Sequence, residues 1–296
     1  MTLLDGKAVA KKIQEELKEK IKNEPRKPIL TVIMVESEKS GPSQIYVRNK
    51  IKAAEEVGID VSVINIPKTV EEDDLIKFIG AYNERLYLTD GLIVQLPLPD
   101  HINEHKVLNS ISPRLDVDGF HAQNAGLTLA GKDCMKPCTA YGIMRLLEAY
   151  NIDVTGKKVK IINRSMIVGK PLASLMLNKN ATVTVLHSKS INIKKECRTA
   201  DIIVTGVGIP NFIKEDYIKK GAIVIDVSIN RVYDGFVYKI CGDVDFENVA
   251  PKASYITPVP GGVGPMTVAM LMEQTFTCAC QQQNLDPLTF LSQEEA

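Results

Sequence analysis

The sequence predicts an α/β protein built as two lobes around a cleft, and three observations carry that prediction. Short apolar, β-rich runs alternate with helix-length segments along the chain, which is the pattern of βαβ units and a parallel sheet. The runs fall into two groups, one ahead of residue 100 and one after residue 156. The chain has 296 residues and 45% hydrophobic content, enough for two cores at about 100–200 residues per domain.

Thirty-six basic residues balance thirty-six acidic ones, so no overall field favours nucleic acid or an anionic membrane, and a small molecule is the expected partner. The opening MTLLDGKAVAKKIQEELKEKIK reads as a charged amphipathic helix without a continuous apolar core. No later run is long enough to span a bilayer, and a cytoplasmic protein is expected. The six cysteines, 134, 138, 197, 241, 278 and 280, form no C-x-x-C pair and are read as reduced thiols. His101 and His105 in HINEH are four apart without the glutamate placement of a zinc-protease helix, so they are read as a solvated helix face and no metal is expected.

Pro28 to Val35 is the first buried strand. In SQIYVRNK, Tyr46 and Lys50 stand one helical turn apart, near the expected start of a helix that stops at Gly58. A lysine beside a phenol is acid–base equipment; by spacing alone the pair is equally an ordinary helix face. Val61 to Ile66 reads as a strand, Glu71 to Asn83 as a helix, and Gly91 to Leu96 as a strand closed by PLPD. Gln95 sits at the carboxyl end of that strand, where parallel sheets bind ligands, with prolines behind it to stop the strand. Asp116 and Asp118 flank a turn in LDVDGF. Helical patterning resumes over Ile143 to Tyr150.

The second lobe opens with the strand Lys157 to Ile162, the polar turn NRSMIVGKP and the helix Leu172 to Leu177. Strand, tight turn and helix start together hold a dinucleotide phosphate on helix amides. ATVTVLHSKS, ADIIVTGVGIP and GAIVIDVSIN repeat the pattern of a β-rich run ending in small or polar residues, which makes the lobe Rossmann-like. Ser188 and Lys189 end the second of its strands, where a ribose or 2′-phosphate would lie. ITPVPGGVGPMT is a glycine- and proline-rich loop whose backbone can approach a flat ligand. An apolar helix follows from Val268 to Ala279, and from Gln281 the chain reads as a tail.

Taken together, SQIYVRNK, VQLPLPD, DVDGF, PCT, RSMIVGKP, GDVDF and ITPVPGGVGPMT resemble the bifunctional methylenetetrahydrofolate dehydrogenase/methenyltetrahydrofolate cyclohydrolase family, in order and from Leu3 to about Thr275. The resemblance implies oxidation of 5,10-methylenetetrahydrofolate with NADP, then hydrolysis of the methenyl product to 10-formyltetrahydrofolate. It implies a folate-binding domain over 1–139, completed by a C-terminal helix over 269–296, and an NADP domain over 140–268. It makes Lys50 the catalytic lysine, assisted by Gln95, with Tyr46 stacking on or orienting the folate. Asp118 would grip the pterin through two charge-assisted hydrogen bonds. Val94, Leu96, Pro260, Gly261, Gly262, Val263 and Gly264 would line the folate site. Asn163, Arg164, Ser165, Ser188 and Ile229 match positions that hold NADP, the Arg164 guanidinium suiting a 2′-phosphate. A homodimer is implied too.

The chain departs from the family pattern at Asn163 and Ser228, each where the family has glycine, at Ala140, where proline is common, and at Glu36 and Ser37. If the turn needs a positive φ at 163, asparagine there is strained by roughly 1–2 kcal/mol. In that case Asn163→Gly should tighten NADP. A member with cyclohydrolase activity alone, or a folate-binding regulator, is therefore a rival reading. A short-chain dehydrogenase also uses Tyr-x-x-x-Lys, but there the nucleotide turn precedes the pair.

Overall fold

The computed structural model describes residues 1–37, 41–85, 88–233, 235 and 237–283, with only the backbone course for 41–46. In chain order the elements are β1 (Thr2–Leu3), α1 (Gly6–Lys22), β2 (Ile29–Val35), α2 (Gly41–Val57), β3 (Asp60–Ile66), α3 (Glu72–Glu84), β4 (Gly91–Val94), α4 (Glu104–Ser110), α5 (Ala122–Leu129) and α6 (Cys138–Ala149). Then come β5 (Lys158–Ile162), α7 (Gly169–Asn178), β6 (Thr182–Leu186), α8 (Ile193–Cys197), β7 (Ile202–Thr205), β8 (Ile223–Asp226), β9 (Asn230–Tyr233), β10 (Tyr238–Cys241), α9 (Phe246–Val249), β11 (Tyr255–Ile256) and α10 (Val263–Gln283). The chain divides into two compact units.

One unit comprises Ile13–Gly126, Cys134–Lys136 and the chain from Leu271. Its sheet is parallel, in the order β3-β2-β4. ILTVIMV takes the centre because it is apolar on both faces: Leu30, Val32, Ile33 and Val35 are all buried, as a strand covered on both sides requires. Ile33 and Val35 pack with Leu75 and Ile79 of α3, Leu92 and Val94 of β4, and Val107 of α4. Three acidic residues, Glu72, Asp73 and Asp74, open α3 against the positive end of its dipole. Gly58, with φ +96°, follows the last residue of α2. Lys50 lies in the middle of α2 rather than near its start. His101 precedes α4 and places Nε2 3.0 Å from the Val70 carbonyl, so it shares no helix face with His105.

The other unit comprises Met1–Lys12, Leu127–Asp133 and Pro137–Met270. Its six-stranded sheet runs β1-β11-β8-β7-β5-β6 and is parallel throughout. After β5 the chain passes through α7 to β6 on one side, then returns to place β7 on the other side. The order therefore reverses at β5, and the carboxyl ends of β5 and β7 form a topological switch point. Ile203, Val224, Ile213, Val249 and Ile256 belong to the core on one face of this sheet. β9 and β10 make a separate antiparallel hairpin, on which Arg231 covers the Tyr238 ring at 4.0 Å. Among the described residues no helix is long and apolar enough to cross a membrane.

Candidate functional site

In the three-stranded unit, Gln95 follows β4, and its amide N–H donates to the Ile33 carbonyl at 2.9 Å, which fixes its backbone to β2. Its side-chain Nε2 donates to the Leu96 carbonyl at 2.7 Å. That bond turns Oε1 towards α2, where it accepts from Lys50 Nζ at 3.2 Å. Both side chains are half-buried. Tyr46 lies one turn earlier on α2, and its side chain is outside the described residues.

Leu92 and Asp116 form a parallel bridge, and the Leu92 amide donates to the Leu115 carbonyl at 2.8 Å. Asp118 follows in the turn that this bridge leads into. The two aspartates are not equivalent. Asp116 is buried: Oδ1 accepts from the Phe120 amide at 3.1 Å, and Oδ2 from the His121 amide and Asn124 Nδ2, each at 2.8 Å. Burial pushes its carboxyl above the ordinary range, against those hydrogen bonds. Gly119, at φ +72°, completes the turn. Asp116 thus braces the loop that presents the half-buried Asp118. Its bracing role, and that of Asn124, were not anticipated; the Asp-x-Asp-Gly spacing marked only a turn.

In the six-stranded unit, Pro260 to Gly264 is held by close backbone approach. Gly261 has φ +109°, and a β-carbon on Gly262 would come within 2.6 Å of the Pro258 carbonyl oxygen. The Lys7 amide donates to the Gly261 carbonyl at 2.9 Å, and a β-carbon on Gly6 would overlap the Gly262 carbonyl oxygen. The first residues of the chain therefore mould this loop, a role that amphipathic patterning in α1 did not reveal. A β-carbon on Gly264 would meet Ile229 Cδ1 at 3.8 Å, which places the loop beside the end of β8.

Asn163 and Gly206 follow β5 and β7 at the switch point. Asn163 Nδ2 donates to the Gly206 carbonyl at 2.5 Å, while Oδ1 accepts from the Ser165 amide at 2.8 Å and the Gly169 amide at 3.1 Å. The residues with positive φ other than glycine are Asn151, Asn180, Asn192 and Asn211 among those described, and Asn163 is not one of them. The strain expected at 163 is absent, because the side chain finds three partners in a relaxed turn. Asn163→Gly is accordingly expected to lower stability by about 2 kcal/mol, three modest hydrogen bonds being lost. It should also weaken NADP binding several-fold, the reverse of the expectation from strain. Thermal melts and NADP calorimetry check this; tighter binding would refute it.

The turn fits a dinucleotide. A β-carbon on Gly169 would overlap the Asn163 carbonyl oxygen, so only glycine lets α7 start this close to the strand end. Arg164 and Ser165 are exposed beyond β5, and Ser188 and Lys189 are exposed beyond β6, its neighbour in register Ile162 to Leu186. A guanidinium, a hydroxyl and an ammonium on adjacent strand ends suit a phosphate-bearing ribose. The first helix amide, that of Gly169, and the Ser165 amide in the turn are committed to Asn163, so a phosphate here would meet these exposed side chains.

At the end of β8, burial pushes the Asp226 carboxyl up to about 6, and the neighbouring Asp243 adds to the rise. An unfolded chain releases that proton near the ordinary carboxylate value, so the stabilisation is complete below it and is lost as pH rises through about 6. The buried Asp116 acts in the same direction. Asp201, Asp216 and Glu196, held low by lysine partners, lose their contribution only at more acidic pH. The protein is expected to melt a few degrees higher at pH 5 than at pH 7.5, Asp226 alone accounting for on the order of 1.4 kcal/mol, the one pH unit between 5 and its folded value of about 6. Calorimetry over that range tests the sign.

The geometry accords with comparison to known proteins. Residues 4–118 match the tetrahydrofolate dehydrogenase/cyclohydrolase catalytic domain, and residues 137–283 match the NAD(P)-binding domain of the same family. Bifunctional protein FolD of Campylobacter curvus is 51% identical, covering 94% of this chain and 96% of that relative. The crystal structure of the bifunctional FolD dehydrogenase/cyclohydrolase from Campylobacter jejuni superposes with a TM-score of 0.91 at 47% identity, over 95% of this chain and 99% of that one. The Trypanosoma brucei methylenetetrahydrofolate dehydrogenase-cyclohydrolase, solved with NADP and an inhibitor, gives 0.89 at 37% identity over 95% and 98%. The chain belongs to the tetrahydrofolate dehydrogenase/cyclohydrolase family.

Proposed function

We propose that this chain oxidises 5,10-methylenetetrahydrofolate to the 5,10-methenyl cation and hydrolyses that cation to 10-formyltetrahydrofolate. The observation that carries the reading is the Lys50–Gln95 hydrogen bond at the carboxyl end of β4. The family membership supplies the reaction class.

Asp118 binds the pterin's amidine edge through paired hydrogen bonds to its carboxylate. Tyr46 stacks on or orients the ring, and Val94 and Leu96 line the folate. NADP, when bound, accepts the hydride from the one-carbon bridge. Arg164, Ser165 and Ser188 hold its phosphates and ribose, Ile229 packs against it, and Asn163 keeps the turn in shape. In the second step water adds to the cationic carbon and loses one proton to solvent; the remaining hydroxyl then gives up its proton as C=O forms and the bond from that carbon to N5 breaks, N5 takes a proton, and the formyl group stays on N10. Lys50 Nζ, aimed by Gln95 Oε1, is the proton carrier for these transfers.

The three-stranded unit is the folate side and the six-stranded unit the cofactor side. The working form is a homodimer in the cytoplasm. Two absorbance assays test the function: NADP reduction that depends on methylenetetrahydrofolate, and decay of methenyltetrahydrofolate without cofactor. Decay without reduction would leave a cyclohydrolase alone.

A further inference from the structure

We propose that Asp243 is the positioning residue of the nucleotide floor, holding the ends of β7 and β8 at a fixed level under the cofactor. The inference rests on the reading that the dinucleotide lies across those strand ends. Asp243 sits in the GDVDF segment, just beyond β10, and is fully buried. Its own backbone is pinned: its carbonyl accepts from the Ile213 amide at 2.9 Å, and the next residue, Val244, donates its amide to Asp226 Oδ2 at 2.8 Å. A β-carbon at Gly242 would overlap the Asp226 carboxylate, so this segment passes directly against the end of β8.

The Asp243 carboxylate collects five donors. Oδ2 accepts from Thr205 Oγ1 at 3.0 Å, the Val207 amide at 2.7 Å and Ser228 Oγ at 2.8 Å. Oδ1 accepts from the Ile209 amide at 2.9 Å and Asn230 Nδ2 at 3.1 Å. Three of these donors come from the end of β7 and two from the segment after β8. Ser228 ties the two together, because its hydroxyl oxygen also accepts from the Gly208 amide at 3.2 Å. Ile229 is thereby held between two anchored residues. Ile209 and Ile229 stand 52% and 45% exposed, an apolar pair to set against a flat ring of the nucleotide.

The chemistry demands a carboxylate. Five donors converge on two oxygens, so an asparagine would point its own N–H groups at donors whichever way its amide turned, leaving buried groups unsatisfied. The loop over 206–210 is otherwise tied at its start, where the Gly206 carbonyl accepts from Asn163 Nδ2 at 2.5 Å and its amide donates to the Ile162 carbonyl at 3.2 Å; Val207 and Ile209 take their side-chain acceptor from Asp243.

The test compares Asp243→Asn, Ser228→Ala, Ser228→Thr and Arg164→Ala by NADP calorimetry at 20 °C, with amide exchange read at Val207 and Ile209. Asp243→Asn is expected to weaken NADP at least tenfold and to speed exchange at those two amides, leaving exchange in β5 and α7 as in the parent. Ser228→Ala should weaken NADP about threefold, and Ser228→Thr, which keeps the hydroxyl, should restore parental affinity. A folded Asp243→Asn protein with parental NADP affinity overturns the proposal, whatever its melting temperature. If that variant does not fold, Ser228→Ala decides: parental affinity and exchange there overturn it. Should Arg164→Ala weaken NADP while the floor variants do not, the positioning role alone falls. If none of the four changes affinity, the nucleotide site itself has been misplaced.

Discussion

Lys50→Met is expected to abolish methenyltetrahydrofolate hydrolysis while leaving substantial hydride transfer. Hydride transfer requires two ligands held in a reactive orientation, and the residues proposed to hold them, Asp118, Arg164 and Ser188, are untouched by the change. Hydration also requires protons to leave the attacking water and reach N5. The group placed for that is Lys50 Nζ, 3.2 Å from Gln95 Oε1. Methionine has similar length and flexibility but neither carries nor accepts a proton, so the loss should be of the size of general acid–base catalysis, about 10²–10⁴-fold. Decay of methenyltetrahydrofolate absorbance without NADP measures one half, and NADPH formation measures the other. A variant that hydrolyses at the parental rate removes Lys50 from the mechanism; one that loses both halves equally makes Lys50 a ligand-orienting residue. Gln95→Leu, which strips the lysine of its acceptor, should shift the same split in a milder form.

The sequence made β2 and the strands of the six-stranded sheet legible because a strand buried on both faces needs an unbroken apolar run, as ILTVIMV and DIIVT show. It placed Gln95 at a strand end for the same reason. β1 escaped it, since Thr2–Leu3 is too short to show any period, and its partner lies at Tyr255–Ile256. α6 and α10 begin earlier than the patterns suggested, at Cys138 and Val263, because Pro137 precedes the first turn of one and Pro265 sits within the first turn of the other, where no intrahelical N–H is needed. The β9–β10 hairpin went unread because its strands are exposed on both faces and bury no alternating set. At the site the limit was chemical rather than periodic. Asn163 read as strain because spacing reports residue type and not partners, and its partner Gly206 is 43 positions away. Asp243 carries no local sign that donors from other segments will converge on it, and the donors to Asp116, though only four to eight positions on, are two backbone amides and an asparagine that no motif marks.

Asp118→Asn is expected to raise the folate KM strongly in both reactions and to lower kcat/KM, with NADP affinity unchanged. Asparagine keeps the shape of the side chain and the turn that Asp116 braces through Phe120, His121 and Asn124, so a folding defect is not the expected cause. What changes is the number of acceptors: in the proposed complex the carboxylate pairs two donors of the pterin edge and carries the complementary charge, while the amide would accept one and turn an N–H towards the other. Asp118 is half-buried rather than sealed off, which places the loss towards the lower end of about 2–5 kcal/mol for truncating a desolvated charge pair. At about 2–3 kcal/mol the fall in kcat/KM is on the order of 10²-fold. Because both reactions bind the same pterin, the fall should appear in cyclohydrolase assays run without NADP as well as in NADP reduction. A loss confined to the dehydrogenase half would move Asp118 from pterin binding to the cofactor side. Unchanged folate kinetics in both halves would leave it a turn residue, and the gripping carboxylate would have to be sought elsewhere.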